Sequence, residues 1–296
     1  MKVTKIFYYS KFKIHGNKIE SMKVVITAAG KGTRLLPATK KIPKEMLPIF
    51  QINNNQIRAV PMLQIIFEQL LSCKIRDFCF VVGREKQIIK DHFTVNHEFL
   101  KLLDSSEKKL ITNFYQKLNK SNIMWINQQQ PKGFGDAVRA AKTFVGNDNF
   151  IVHGGDVSIF SKNVHPVTRL IHTSTQNPDA SAILLCKKVK DTSRYGVPKI
   201  SKISKNLFEV HEVEEKPTNP KSNFALMPIY FFKSEIIRSL KNINLGKCNE
   251  YQLTDAIQHL LENNKKVLAI PMFSNELELD VGTVDSYKSA LNLSSK

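Results

Sequence analysis

The apolar run Val24 Val25 Ile26 gives way within a few residues to Gly30 Lys31 Gly32 Thr33 Arg34, and this junction constrains the chain more than any other feature. A β-strand that empties into a loop of two glycines and two cations points to an α/β fold, where ligands gather beyond the carboxyl ends of strands. Glycine lets backbone N–H groups approach phosphate oxygens, and fixed cations offset their charge. A Gly-x-Gly after a strand is common, so the loop needs further support. The third glycine of a dinucleotide fingerprint is missing, since Leu35 stands there, and no Gly-x-x-x-x-Gly-Lys-Ser/Thr string occurs.

Length supplies that support. From Gly30 to Pro48 the chain reads G-x-G-T-R-x-x-P-x-T-x-x-x-P-K-E-M-L-P. This pattern resembles the signature of sugar-1-phosphate nucleotidylyltransferases. With Ala38 Thr39 and Lys44 Glu45 Met46 Leu47 Pro48, it looks most like the UTP glucose-1-phosphate uridylyltransferases. The resemblance runs from Met22 to the last helix. It implies a Rossmann-like α/β fold of the nucleotide-diphospho-sugar transferase type, with a mostly parallel mixed sheet flanked by helices.

Composition agrees with a globular protein: 42% of residues are hydrophobic and 24% charged, and no apolar run is long enough to span a bilayer. Cys73, Cys79, Cys186 and Cys248 have neither C-x-x-C spacing nor a histidine pattern nearby, which argues against disulfides and zinc and favours a reducing, cytoplasmic compartment. The net charge of +18 raises nucleic acid as a partner. The lysines are scattered, however, as at Lys108 Lys109 and Lys265 Lys266, without a long run or interleaved aromatics. Polyanionic substrates also gain from a positive field, so the expectation is no nucleic acid and no membrane. Residues 1–21 carry five lysines against one glutamate, +4 of the total, and lack a signal-peptide core. Either they are a basic extension or translation begins at Met22.

Apolar runs alternate with helical patterns, the mark of strand–helix–strand units. Strands are expected at Lys23 to Thr27, Phe78 to Val82, Ile123 to Asn127 and Phe150 to His153, with helices at Pro61 to Ser72 and Asp136 to Phe144. The segment Phe93 to Lys120 reads as an inserted helical hairpin whose apolar residues are Phe99, Leu100, Leu103, Leu110 and Phe114. Further strands are expected at Ala182 to Cys186, Ile200 to Ile203, Leu207 to Val213, Ala225 to Phe232 and Lys266 to Pro271, and closing helices at Gln252 to Glu262 and Val284 to Leu293. Length admits one large domain or two small ones. The absence of a low-complexity linker favours a single nucleotidyltransferase domain over residues 22–296, with a nucleotide half to about residue 156 and a sugar half from about residue 157. With only a short stretch after the last helix, no appended hexapeptide-repeat domain is expected.

The reaction that the resemblance implies is attack of a sugar phosphate oxygen on the α-phosphorus of a nucleoside triphosphate, releasing pyrophosphate. Both reactants are anions, so catalysis rests on alignment and charge neutralisation. The resemblance assigns Arg34 and Lys44 to the triphosphate, and the backbone of Ala29, Gly30, Gly32 and Thr33 to the nucleotide. Gln128, five residues ahead of Gly133, matches the spacing of the base-reading pair, and a glutamine amide can both donate and accept at an imide edge. Lys132 adds charge nearby. Asp156 and Asp280 match the two positions at which the family holds Mg²⁺, a hard ion that prefers oxygen. Either alone is more often a turn or helix-cap aspartate, and His153 reads as structural. On the sugar side, Tyr195 Gly196 Val197 and Glu214 Glu215 Lys216 Pro217 imply a backbone contact from Gly196, hydroxyl binding by Glu215 and a phosphate contact from Lys216. Glu250 with Gln252 to Asp255 starts a helix near the sugar pocket.

Two positions depart from the family pattern. Pro228 stands where glycine is usual, removing an N–H and fixing φ, and Cys248 Asn249 replaces Gly-Asp. The resemblance therefore implies transfer of a uridylyl group from UTP to glucose 1-phosphate, with Mg²⁺ and a homo-oligomeric assembly. A sibling using dTTP or an amino-sugar phosphate is the near alternative. A regulatory subunit that binds nucleotide sugars without catalysis is the distant one, disfavoured by the retention of Lys44, Asp156, Lys216 and Asp280.

Overall fold

A computed structural model describes residues 22–53 and 56–295; the reading of residues 1–21 as a basic extension falls outside them. In chain order the elements are β1 (Lys23–Ala28), β2 (Pro48–Asn53), β3 (Gln56–Pro61), α1 (Met62–Ser72), β4 (Asp77–Gly83), α2 (Gln87–His92), α3 (His97–Lys101), α4 (Ser105–Asn119) and β5 (Asn122–Gln128). There follow α5 (Phe134–Ala140), α6 (Lys142–Val145), β6 (Phe150–Gly154), β7 (Val157–Phe160), α7 (Pro166–Gln176), β8 (Ala182–Lys188), β9 (Gly196–Ser204) and β10 (Leu207–Glu215). The last are β11 (Phe224–Phe232), α8 (Ile236–Asn242), α9 (Leu253–Glu262), β12 (Val267–Pro271), β13 (Leu277–Asp280) and α10 (Val284–Ser294).

Nine strands form one sheet in the order β5-β4-β1-β6-β11-β8-β12-β10-β9. The β5, β4, β1 and β6 block is parallel, as the strand–helix alternation requires. Beyond it β11 runs antiparallel to both β6 and β8, β12 is parallel to β8, and β10 with β9 closes the sheet antiparallel. The sheet is thus mixed, with the parallel block confined to the half that carries the glycine loop.

Side-chain alternation builds a layer on each face. In β1, Val24 and Ile26 join the layer beneath α1, α4 and α7, whereas Val25 joins the layer with α5, α8 and α9. The first layer is aromatic. Phe67 of α1 lies 4.9 Å from Phe78 and 5.4 Å from Phe93, and Phe80 stacks on Trp125 at 4.8 Å. Such pairs contribute about 0.5–1.5 kcal/mol beyond the area they bury.

Two expectations need correction. The segment from Phe93 to Lys120 does contain two helices, and the longer starts with an Asp104–Glu107 capping box, yet it is no appendage. Phe93, Phe114, Tyr115 and Leu118 enter the aromatic core, while Phe99 and Leu110 face solvent. The helix expected over Asp136 to Phe144 begins at Phe134 and breaks at Ala141 into α5 and α6. Pro228 is accommodated because the β11–β8 register shifts between Leu226 and Tyr230, where no ladder hydrogen bond is asked of it.

Two small hairpin-like pairs lie off the main sheet: β2 with β3, and β7 with β13. The second pairing joins residues far apart in sequence and shapes the site.

Candidate functional site

A cleft of about 750 Å³ opens over the carboxyl ends of β1, β6 and β5 and is lined from both halves of the sheet. Its first wall is the glycine loop. Gly32 adopts φ 68°, and a Cβ there would crowd the Thr39 side chain, whose hydroxyl donates to the Gly32 carbonyl at 2.7 Å. This closure turns residues 29–34 into the cleft. Arg34 lines it and is exposed, with no ion pair among the described residues.

Lys44 begins a single 3-10 turn, Lys44–Met46, that sets adjacent side chains in opposite environments. Its ammonium lies beside Gly30 and pairs with Asp156 inside the cleft. The next residue, Glu45, is 1% exposed and receives two hydrogen bonds, at 3.0 and 2.8 Å, from Lys86 in the turn after β4. Burial works against the Lys44 ammonium, but the Asp156 and Glu45 carboxylates more than offset it and hold its pKa above an ordinary lysine's. Burial pushes Glu45 up and Lys86 down, each opposed by the partner's charge. Lys86 was not foreseen from sequence, because Gly83-Arg84-Glu85-Lys86 reads as a solvated turn.

Asp156 follows β6, and Asp280 ends β13. The β7–β13 ladder sets Asp280 opposite Val157, and the Val281 N–H donates to the Asp156 carbonyl at 2.9 Å. Both carboxylates line the cleft. Asp280 Oδ1 accepts from the Gly282 N–H at 2.6 Å, and Thr283 then opens α10 through a capping box with Ser286. Burial opposes the Asp156 carboxylate, yet Lys44 holds it below the usual range. Burial, and after it the Asp156 charge, pushes Asp280 up to about 6. His153 is fully buried, with Nδ1 2.7 Å from the Gly154 carbonyl, and burial lowers it to about 4; it faces the core, as the structural reading expects.

The loop after β5 is closed by Tyr251. Its N–H donates to the Lys132 carbonyl at 2.8 Å, and its carbonyl accepts from the Gly135 N–H at 2.9 Å. Gly133 sits between them at φ 108°, where a Cβ would approach within 2.8 Å of Glu250 Cβ and the Tyr251 carbonyl. Gln128, at the end of β5, reaches the cleft wall beside it.

Across the cleft, Gly196 at the start of β9 pairs with Glu215 at the end of β10. Glu215 Oε2 accepts from the Thr254 hydroxyl at 3.1 Å, and burial raises its pKa despite Lys216. The cleft thus brings together Ala29, Gly30, Gly32, Thr33, Arg34 and Lys44 with Gln128, Gly133, Asp156, Gly196, Glu215 and Asp280. Lys216 is the exception. At φ 44° its half-exposed side chain lies outside the lining, its ammonium 3.7 Å from Glu215 Oε1. Arg194, also exposed, lines the cleft and was not singled out from sequence.

A parallel strand block ending in a cationic glycine loop, opposite two half-buried acids, is an α/β arrangement suited to handling phosphate. The nucleotidyl transferase family model matches residues 23–295, and the chain belongs to that family. It is 37% identical over 245 residues to a UTP–glucose-1-phosphate uridylyltransferase of Streptococcus pyogenes, covering 80% of this chain and 79% of that protein. Among solved structures it resembles a UDP-glucose pyrophosphorylase complexed with UDP-glucose, with TM-score 0.80, 27% identity and coverage of 92% and 97% of the two chains. A putative glucose-1-phosphate thymidylyltransferase from Bacillus anthracis is similar at TM-score 0.70 and 25% identity, covering 93% and 95%. Among the described residues no helix is long and apolar enough to cross a membrane.

Proposed function

We propose that the protein transfers a uridylyl group from UTP to glucose 1-phosphate, giving UDP-glucose and pyrophosphate. The observation that carries this reading is the placement of Lys44, paired with Asp156, on the floor of a cleft shared by the glycine loop and the Glu215–Gly196 wall. In the reaction a sugar phosphate oxygen forms a bond to the α-phosphorus as the bond from that phosphorus to the bridging oxygen breaks. No net proton transfer is needed. The chain's task is to hold two polyanions in line and neutralise them.

Lys44 and Arg34 serve the triphosphate, Lys44 being kept protonated by its acidic neighbours. The backbone of residues 29–33 cradles phosphate oxygens, Gln128 and Gly133 receive the base, and Gly196 with Glu215 receive the sugar. Lys216 would turn from Glu215 toward the sugar phosphate once that anion competes for it. Arg194 offers a second cation on the same wall.

Asp156 and Asp280 fit a hard divalent cation: the donors are all oxygen, and burial together with the Asp156 charge raises Asp280 to about 6. No cluster of three or more His, Cys, Asp or Glu residues stands ready for a metal among the described residues, so two aspartates and the substrate's own oxygens would complete the sphere. Mg²⁺ held there would offset charge at the phosphates. A cytoplasmic, homo-oligomeric enzyme is the form that accords with this reading.

The test is pyrophosphate release by the purified protein with Mg²⁺, crossing UTP and dTTP against glucose, galactose and N-acetylglucosamine 1-phosphates. Preference for UTP with glucose 1-phosphate is expected. A different preferred pair moves the specificity within the family, and nucleotide binding without turnover would refute the reading.

A further inference from the structure

Gln128 is almost fully buried, and its amide nitrogen is engaged on the protein side, 2.6 Å from Asp136 Oδ2 and 3.4 Å from the Gly133 carbonyl. Both partners are acceptors. An ionised carboxylate cannot donate a hydrogen bond, so the group facing Asp136 must be the NH₂ and not the carbonyl oxygen. Asp136 is itself fixed. Its other oxygen is paired with Arg139, and the Arg139 guanidinium lies 4.6 Å over the Tyr251 ring, the residue that closes the loop after β5. Arginine stays charged, so the polarity of the whole relay runs one way from Tyr251 to Gln128. What remains of the amide toward the cleft is Oε1, an acceptor with no donor among the described residues.

We propose that Asp136 is a positioning residue that locks the Gln128 amide with its oxygen toward the cleft, so that the site accepts the imide N–H of a uracil-type base and rejects cytosine. Uracil and thymine carry a hydrogen on N3, and cytosine presents a lone pair there. An acceptor held against that lone pair gains no hydrogen bond, and a site built around one polar pairing discriminates strongly against a base that cannot make it. This rests on the nucleotidyl-transfer reading and extends it to a residue that does not touch the substrate.

The relay predicts what an isosteric change does. In Asp136→Asn, Arg139 still needs an acceptor and takes the amide oxygen, which leaves the new NH₂ facing Gln128. Gln128 must then turn its own oxygen inward and its NH₂ to the cleft. The group offered to the base changes from acceptor to donor, opposed only by the Gly133 carbonyl.

Binding of UTP and CTP is measured by calorimetry on the wild type and on Asp136→Asn, with kcat/KM for both nucleotides beside it and Asp136→Ala as a second variant should the first fold poorly. In Asp136→Asn the UTP-over-CTP preference should fall by about tenfold or more, through weaker UTP and unchanged or tighter CTP binding. In Asp136→Ala, where nothing directs the amide, it should fall less. An unchanged preference in both variants, whether or not both nucleotides weaken together, overturns the proposal and leaves Asp136 a merely structural residue. Wild-type protein that binds neither nucleotide would refute the functional reading instead, a separate result.

Discussion

Replacing Lys86 by methionine isolates the buried pair beneath the Lys44–Met46 turn. Glu45 is 1% exposed and its carboxylate takes both hydrogen bonds from Lys86, so the variant strands an acid in the interior with almost no solvent screening. Removing one partner of such a pair costs about 3–5 kcal/mol. The attraction that Lys44 still exerts on Glu45 sets the cost toward the lower end. In a domain of this size that corresponds to a melting temperature lower by roughly 6–12 °C. The pH dependence has a definite sign. Burial already raises Glu45 above its unfolded value, and losing Lys86 raises it further. The folded variant therefore holds this proton to higher pH than the unfolded chain does. Below the ordinary glutamate pKa both states carry a neutral acid and the deficit is small; it grows as pH rises through the raised folded value. Paired thermal melts of the two proteins at pH 7.5 and pH 5 measure this, and Glu45→Gln combined with Lys86→Met should recover most of the loss. A drop under about 2 °C at pH 7.5, or one of equal size at both pH values, would refute the reasoning.

Asp280→Asn removes a carboxylate crowded by burial and by Asp156, so the melting temperature should hold or rise while Mg²⁺-dependent turnover falls by about a hundredfold or more; near-normal turnover would remove Asp280 from the proposed metal site. Arg34→Gln breaks no ion pair among the described residues and should change stability by less than about 0.5 kcal/mol, yet raise the KM for the nucleotide about tenfold through a lost charge-assisted contact, as read from melts and steady-state kinetics.

Local patterns made much of this molecule legible in the sequence. The parallel block could be read because its strands are short runs separated by helical patterns, and the glycine loop because its residue types follow one another without interruption. What escaped was whatever depends on distant partners. Val157 to Phe160 and Leu277 to Asp280 are each too short and irregular to announce a strand, and they become one only by pairing with each other. Lys86 is one charge in a polar turn until Glu45 is set beneath it. Phe93 and Phe114 look like the apolar side of an insertion; only the folded chain shows them packed against Phe67 in the main core. Asp136 is only the first residue of an expected helix in the sequence, and its contact with Gln128 appears only with the side chains in place.

The β7–β13 ladder carries one last implication. The backbone positions of Asp156 and Asp280 are held by main-chain pairing, with Asp280 opposite Val157 and the Val281 N–H bonded to the Asp156 carbonyl. In such a ribbon a slip of one residue turns every side chain to the other face. The acidic pair is therefore tied to register: a ladder slipped by one residue would turn Asp280 to the opposite face and away from Asp156.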